Sequence, residues 1–232
     1  MPTVFLVRHG RTTANASGVL AGAGPGIGLD DVGLAQTRAL AARLAGVSLQ
    51  AVVSGPLQRC RETADILVGD RGEQAIAVDD RLTECDYGEW AGRPLRELTR
   101  ERLWRVVQSH PSAATFPGGE SMRAVQTRAV DAVREHDALV AETAGTQAVW
   151  VAVSHADVIK CVVADALGLH LDLFQRLIID PGSVTEVRYT TMRPFVVRLN
   201  DTGGDLSGLH GRARRRRPTS TDAVASGGAG RS

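Results

Sequence analysis

Lysine is almost missing from this chain: Lys160 stands alone among 232 residues, so arginine carries nearly all the positive charge. A cradle of lysines for a heavily charged anion is therefore excluded. Aromatic residues make up only 4% of the chain, which leaves Val, Leu and Ala to fill the core. The three cysteines, Cys60, Cys85 and Cys161, lie far apart and lack CxxC spacing. That argues against a disulfide framework or a cysteine-built zinc site, and suits a reducing cytoplasm. No apolar run approaches the ~20 residues of a membrane-spanning helix. Met1-Pro2-Thr3 runs straight into the first apolar segment, so no signal peptide is expected.

Charge of one sign is also scarce, with a net of +1 over the whole sequence. The last 32 residues hold six arginines against three aspartates, a net of +3, so residues 1–200 carry −2. The main body is thus not a basic nucleic-acid binder, and a membrane surface is not an expected partner. The tail, with its "RARRRR" run followed by Ser, Gly and Ala, has no apolar periodicity. It reads as a disordered Arg-rich segment over 201–232, following one domain over 1–200.

What is present is a rhythm of short apolar runs and helical patterns. Val4–Val7, Gln50–Val53 and Ala148–Val153 are valine-rich and bounded by turn or helix signals, as buried strands are. A helix capped by Asp30 or Asp31 is expected to bury Ala35, Leu40 and Leu44 and stop at Gly46. Pro56 suits the first turn of a second helix, with Leu57, Cys60, Ala64 and Leu67 on one face. Two more helices are expected over 120–140 and 156–167. "SVTEVRY" and "FVVRLN" flank "TTMRP" as a hairpin at one edge. Strands separated by helices predict an α/β three-layer sandwich, its sheet mostly parallel with helices on both faces. Residues 14–29 are too Gly-rich for a helix, and 85–119 hold a helical stretch between Pro94 and Pro111. Both are long enough to act as lids.

In open α/β sheets, ligands bind beyond the carboxyl ends of the strands. Three polar clusters sit just there: Arg8-His9-Gly10, Ser54-Gly55-Pro56 and Ser154-His155-Ala156. Arg59 lies in the first turn of the next helix and can point back to the same edge. One crevice would then gather two histidines, two arginines and several helix N-termini, which together form a site for an anion. A metal is not expected, because Arg8 and Arg59 would crowd a cation with like charge.

Four segments in order carry a family resemblance: "LVRHGRTTAN", "SGPLQRCRETA", "LTECDYGEWAG" and "VSHADV". Together they resemble the histidine phosphatase superfamily, the phosphoglycerate-mutase-like or RHG family, over about residues 3–190. The resemblance implies His9 as a nucleophile phosphorylated during turnover. It implies Arg8, Arg59 and His155 around the phosphoryl oxygens, and Glu84 as proton donor. Asn15 and the backbone at Ala156 would add phosphate contacts. No cofactor is implied, and the partner is a small phosphomonoester.

The acid-loop segment and Arg11 after RHG are more similar to the phosphatase branch than to the cofactor-dependent mutases. Hydrolysis is therefore the first expectation. Mutase-type phosphoryl transfer and a non-catalytic phosphate-binding regulatory role are the alternatives. Trp90 on the acid loop could line the pocket or pack inside, whereas Trp104 and Trp150 read as core. Asp157 reads as a helix cap, Arg61 and Glu62 as a solvated pair, and Cys85 as a half-buried spectator. The oligomeric state is left open, since no exposed apolar stripe stands out.

Overall fold

The computed structural model describes residues 2–69 and 75–204. Six strands form one sheet: β1 (Thr3–Arg8), β2 (Leu49–Ser54), β3 (Ile76–Val78), β4 (Val149–Ser154), β5 (Val184–Arg188) and β6 (Phe195–Asp201). Their spatial order is β3-β2-β4-β1-β5-β6. The first four run parallel, and β5 and β6 close the edge antiparallel. Apart from the short β3, every strand falls where the apolar runs and the hairpin pattern predicted. β3 has three residues, only partly buried, too few to produce a readable alternation.

Among the described residues seven α-helices accompany the sheet: α1 (Thr13–Ser17), α2 (Asp31–Arg43), α3 (Gln58–Val68), α4 (Leu95–Leu98), α5 (Arg102–Ser109), α6 (Met122–Ala144) and α7 (Ala156–Ala166). β4 explains the layering. Its side chains alternate, and from Trp150 onward all are buried: Trp150 and Ala152 join the core beneath α5, α6 and α7, while Val151 and Val153 join the core beneath α2 and α3. A strand buried on both faces must be interior, and β4 lies between β2 and β1. Trp150, fully buried, donates its indole N–H to Asp137 at 3.0 Å, so the largest core side chain leaves no polar atom unsatisfied.

Three local expectations are corrected. Residues 14–29 do contain a helix, α1, because Thr12 and Asn15 form a reciprocal capping box and Gly18 ends it at φ 67°. Pro56 precedes α3 by two residues instead of opening it. α2 begins at its Asp30 cap as predicted but ends at Arg43, and it buries Gly33, Thr37 and Leu40, leaving Ala35 exposed. The inward stripe is set by an unusually close approach. A Cβ on Gly10 would lie 2.5 Å from Gly33 O and 2.7 Å from Thr37 Oγ1, and one on Gly33 would overlap the backbone of Arg11. Two glycines thus let α2 touch the segment that leaves β1.

The strand register positions the cleft. Arg8 pairs with Ser154 across β1 and β4, so the next residues on each chain, His9 and His155, emerge side by side. β6 runs to Asp201. Nearly all of the Arg-rich tail lies outside the described residues. Among the described residues, no helix is long and apolar enough to cross a membrane.

Gly33→Ala tests the close approach. Alanine would favour the helix by about 1 kcal/mol, but forcing a methyl into backbone typically costs about 1–3 kcal/mol or more. The melting temperature should fall by roughly 5 °C; an unchanged or higher value would contradict the packing.

Candidate active site

A small, tight cleft opens at the carboxyl edge of the sheet, lined by Arg8, His9, Thr12, Asn15, Glu84 and Arg59 together with Leu20–Gly22 and Tyr87. Five of the seven residues expected there are thus wall residues. His155 stands immediately behind them, its ring centroid 5.1 Å from that of His9 and its Nδ1 3.8 Å from Glu84 Oε2. Ala156 is buried as the first residue of α7 and is not part of the lining.

The His9 ring is held by one bond. Nδ1 lies 2.7 Å from the carbonyl oxygen of Gly10. A carbonyl can only accept, so Nδ1 carries the proton and Nε2 keeps its lone pair. Burial, reinforced by Arg59 and Arg8, holds the His9 pKa well below the ordinary histidine range. The ring is therefore neutral near pH 7, and its free nitrogen can act as a nucleophile.

The guanidiniums are anchored by backbone. Arg8 Nη1 donates to Ile179 O at 2.7 Å, and Arg59 Nη2 donates to Gly22 O at 2.7 Å. Both side chains are buried, and Arg59 Nη1 has no partner within the protein. A buried donor without a partner is costly unless a ligand supplies the acceptor. Asn15 holds Thr12 N–H and Thr12 Oγ1–H with its Oδ1, at 3.1 and 2.9 Å, which leaves its amide N–H groups for a ligand.

Glu84 is the carboxylate of the cleft. Burial first, then the nearby Asp157, push its pKa up from 4.5 to about 7; Arg59, the Cys85 backbone N–H and Arg8 oppose this. It can thus carry a proton at neutral pH and still release it. Its loop is pinned from several sides. Arg128 on α6 donates to the carbonyls of Arg81, Thr83 and Glu84 and pairs with Glu120 at 2.9 Å, while Ser154 Oγ donates to Leu82 O at 2.7 Å.

Of the two places left open to it, Trp90 takes the inner one, packed against Trp104 and Phe116 in the core, while Tyr87 lies on the wall. Three other positions differ from their sequence reading. Asp157 does not cap α7, whose N-cap is His155. It is the second residue of the helix's first turn, where it accepts the Tyr87 hydroxyl at 2.7 Å and lies 3.8 Å from Lys160. Glu62 accepts Leu29 N–H and the Gln58 amide instead of facing Arg61. Cys85 is fully buried rather than half-buried. The pinning role of Arg128 and the wall position of Tyr87 had no signal in the sequence, because neither stands beside a strand end.

Two arginines, a neutral histidine and a protonatable carboxylate in one crevice define a class: α/β proteins with a histidine-centred anion site at the sheet's carboxyl edge. The chain belongs to the histidine phosphatase superfamily, branch 1, whose profile matches residues 4–202. It is 30% identical over 191 residues to a Yersinia pestis protein named "Probable phosphoglycerate mutase GpmB", covering 82% of this chain and 86% of that one. Among solved structures, Bacillus stearothermophilus YhfR shares 27% identity at a TM-score of 0.78, over 87% of this chain and 98% of that one. A mycobacterial glucosyl-3-phosphoglycerate phosphatase in complex with VO3 shares 26% identity at a TM-score of 0.76, over 85% and 98% of the two chains.

The raised Glu84 pKa fixes a pH dependence of stability. Folding raises it above the unfolded value, so the native state holds this proton more tightly, and the group's contribution to stability falls as pH rises from about 4.5 to about 7. Glu84→Gln should lose that fall in stability, measured by urea unfolding at pH 5 and pH 8. If wild type and variant keep the same stability difference at both pH values, Glu84 does not hold its proton in the native state.

Proposed function

We propose that the protein is a phosphomonoester hydrolase working through a phosphohistidine. The observation that carries this reading is the orientation of His9. Its Nδ1 is tied to Gly10 O, and its Nε2 lone pair is kept neutral beside two buried guanidiniums. A phosphomonoester is a dianion, so its oxygens would lie against Arg8, Arg59, Asn15 and His155. Phosphoryl transfer needs little beyond such positioning and charge stabilisation.

The steps balance with the residues at hand. His9 Nε2 attacks phosphorus, the ester P–O bond breaks, and the leaving oxygen takes the proton of Glu84. Glu84, now a carboxylate, takes a proton from water as that water attacks the phosphohistidine. The N–P bond breaks, His9 regains its lone pair, and inorganic phosphate leaves. No metal enters either step.

Mutase-type transfer is the second reading, favoured by the name of the Yersinia relative. Hydrolysis is preferred for a physical reason. A mutase must hold a bisphosphorylated intermediate, which calls for extra cations, and the single lysine is turned inward, with Lys160 Nζ 3.1 Å from Gln175 Oε1. Arg93, another candidate cation, is engaged with Glu101 at 2.9 Å. The substrate class is a small phosphorylated metabolite. Three buried, separated thiols fit a reducing cytoplasm.

The test is release of inorganic phosphate, in EDTA, from a panel of phosphomonoesters that includes phosphoglycerates. Wild type should turn over at least one. His9→Ala should lose activity to background, and Glu84→Gln should lose about 10²–10⁴-fold. Activity in His9→Ala would overturn the phosphohistidine. Isomerisation primed by bisphosphoglycerate, without phosphate release, would favour the mutase.

A further inference from the structure

His155 has two ring nitrogens, and among the described residues only one of them has a hydrogen-bond partner. Its Nε2 lies 3.3 Å from Cys60 Sγ, in the first turn of α3, and both side chains are fully buried. Its Nδ1 is buried with no hydrogen-bond partner and faces Glu84 Oε2 at 3.8 Å, beside the His9 ring. Glu84 and His9 both line the cleft, so Nδ1 is directed at the gap between the proposed nucleophile and the proposed acid.

We propose that Cys60 is a positioning residue: its thiol donates to His155 Nε2 and so fixes the tautomer that presents Nδ1–H to a bound phosphoryl oxygen. The inference rests on reading the cleft as a phosphate site. A neutral imidazole has one donor and one acceptor, and which nitrogen is which follows from the partner of the other. Burial and the nearby Arg59 hold His155 well below the ordinary histidine range, so the ring is neutral. Burial pushes the Cys60 thiol up to about 12, so it keeps its proton and can donate. A protonated thiol facing a nitrogen lone pair makes the better bond, because sulfur is a weak acceptor.

The opposite tautomer would turn a lone pair toward the phosphoryl oxygens and repel them. With the proton on Nδ1, the buried unpartnered atom becomes a donor awaiting an anion, like Arg59 Nη1 on the same cleft. No bond to Cys60 is made or broken during turnover. Its action passes entirely through the histidine.

The experiment is nitrogen NMR of histidine-labelled, ligand-free full chain, with the His155 signals assigned through His155→Gln, alongside titration with inorganic phosphate. In wild type, His155 should show a protonated Nδ1 and an unprotonated Nε2. Cys60→Ala should give a mixture of tautomers and bind phosphate roughly threefold to tenfold more weakly, the scale of one neutral hydrogen bond. Cys60→Ser keeps a donor and should restore both the tautomer and the affinity to within about twofold. Wild type with its proton on Nε2, or Cys60→Ala with an unchanged tautomer, would overturn the proposal. The tautomer is read without turnover, so absent phosphate release would count against the hydrolase reading alone.

Discussion

Two guanidinium groups buried at the carboxyl edge of one sheet set the terms for everything around them. Arg8 and Arg59 are each anchored to a backbone carbonyl, at Ile179 and Gly22. A carbonyl dipole orients a guanidinium without cancelling its charge. In a site shielded from water, that positive field acts at full strength on its neighbours. It adds to burial in keeping His9 and His155 neutral, and it partly offsets the burial that raises Glu84. Without that field the cleft would lose the charge that an anion needs, while burial alone would still disfavour a charged His9.

That field is useful only if the histidines meet inside it, and the sheet guarantees that they do. The Arg8–Ser154 pairing places His9 and His155 on adjacent strands at the same height. Glycine contacts then bring α2 against the turn after His9, and one turn of α3 presents Arg59 to the cleft and Cys60 to His155 behind it. The acid arrives separately, on a loop that belongs to no strand. Arg128 and Ser154 hold that loop by its carbonyls, so the position of Glu84 depends on α6 and β4.

The architecture was legible because the main strands are buried on both faces, and such strands announce themselves as valine-rich runs. The position of the cleft was legible too, since Arg8, His9, Arg59 and His155 follow strand ends or open helices. The failures share a cause. Ala35 and Asp157 were judged from local pattern, whereas their environments are set by residues distant in sequence. Asp157 has the placement of a cap, yet its partners are Tyr87 and Lys160. Local pattern left Trp90 open between wall and core, and the aromatic cluster with Trp104 and Phe116 draws it inward. α1 was missed because a capping box can sustain one turn of helix where glycine and small residues argue against it.

The proposed mechanism turns on a single bond, the one from His9 Nδ1 to Gly10 O, which leaves the Nε2 lone pair free for the attack it assigns to His9. The most direct measurement is rapid quenching of the enzyme during turnover, with mass spectrometry of the peptide that contains His9. The predicted result is an acid-labile phosphoryl group on the Nε2 of His9, absent from His9→Ala. Phosphate found on another residue, or turnover at full rate with no phosphorylated peptide under conditions that preserve phosphohistidine, would contradict it.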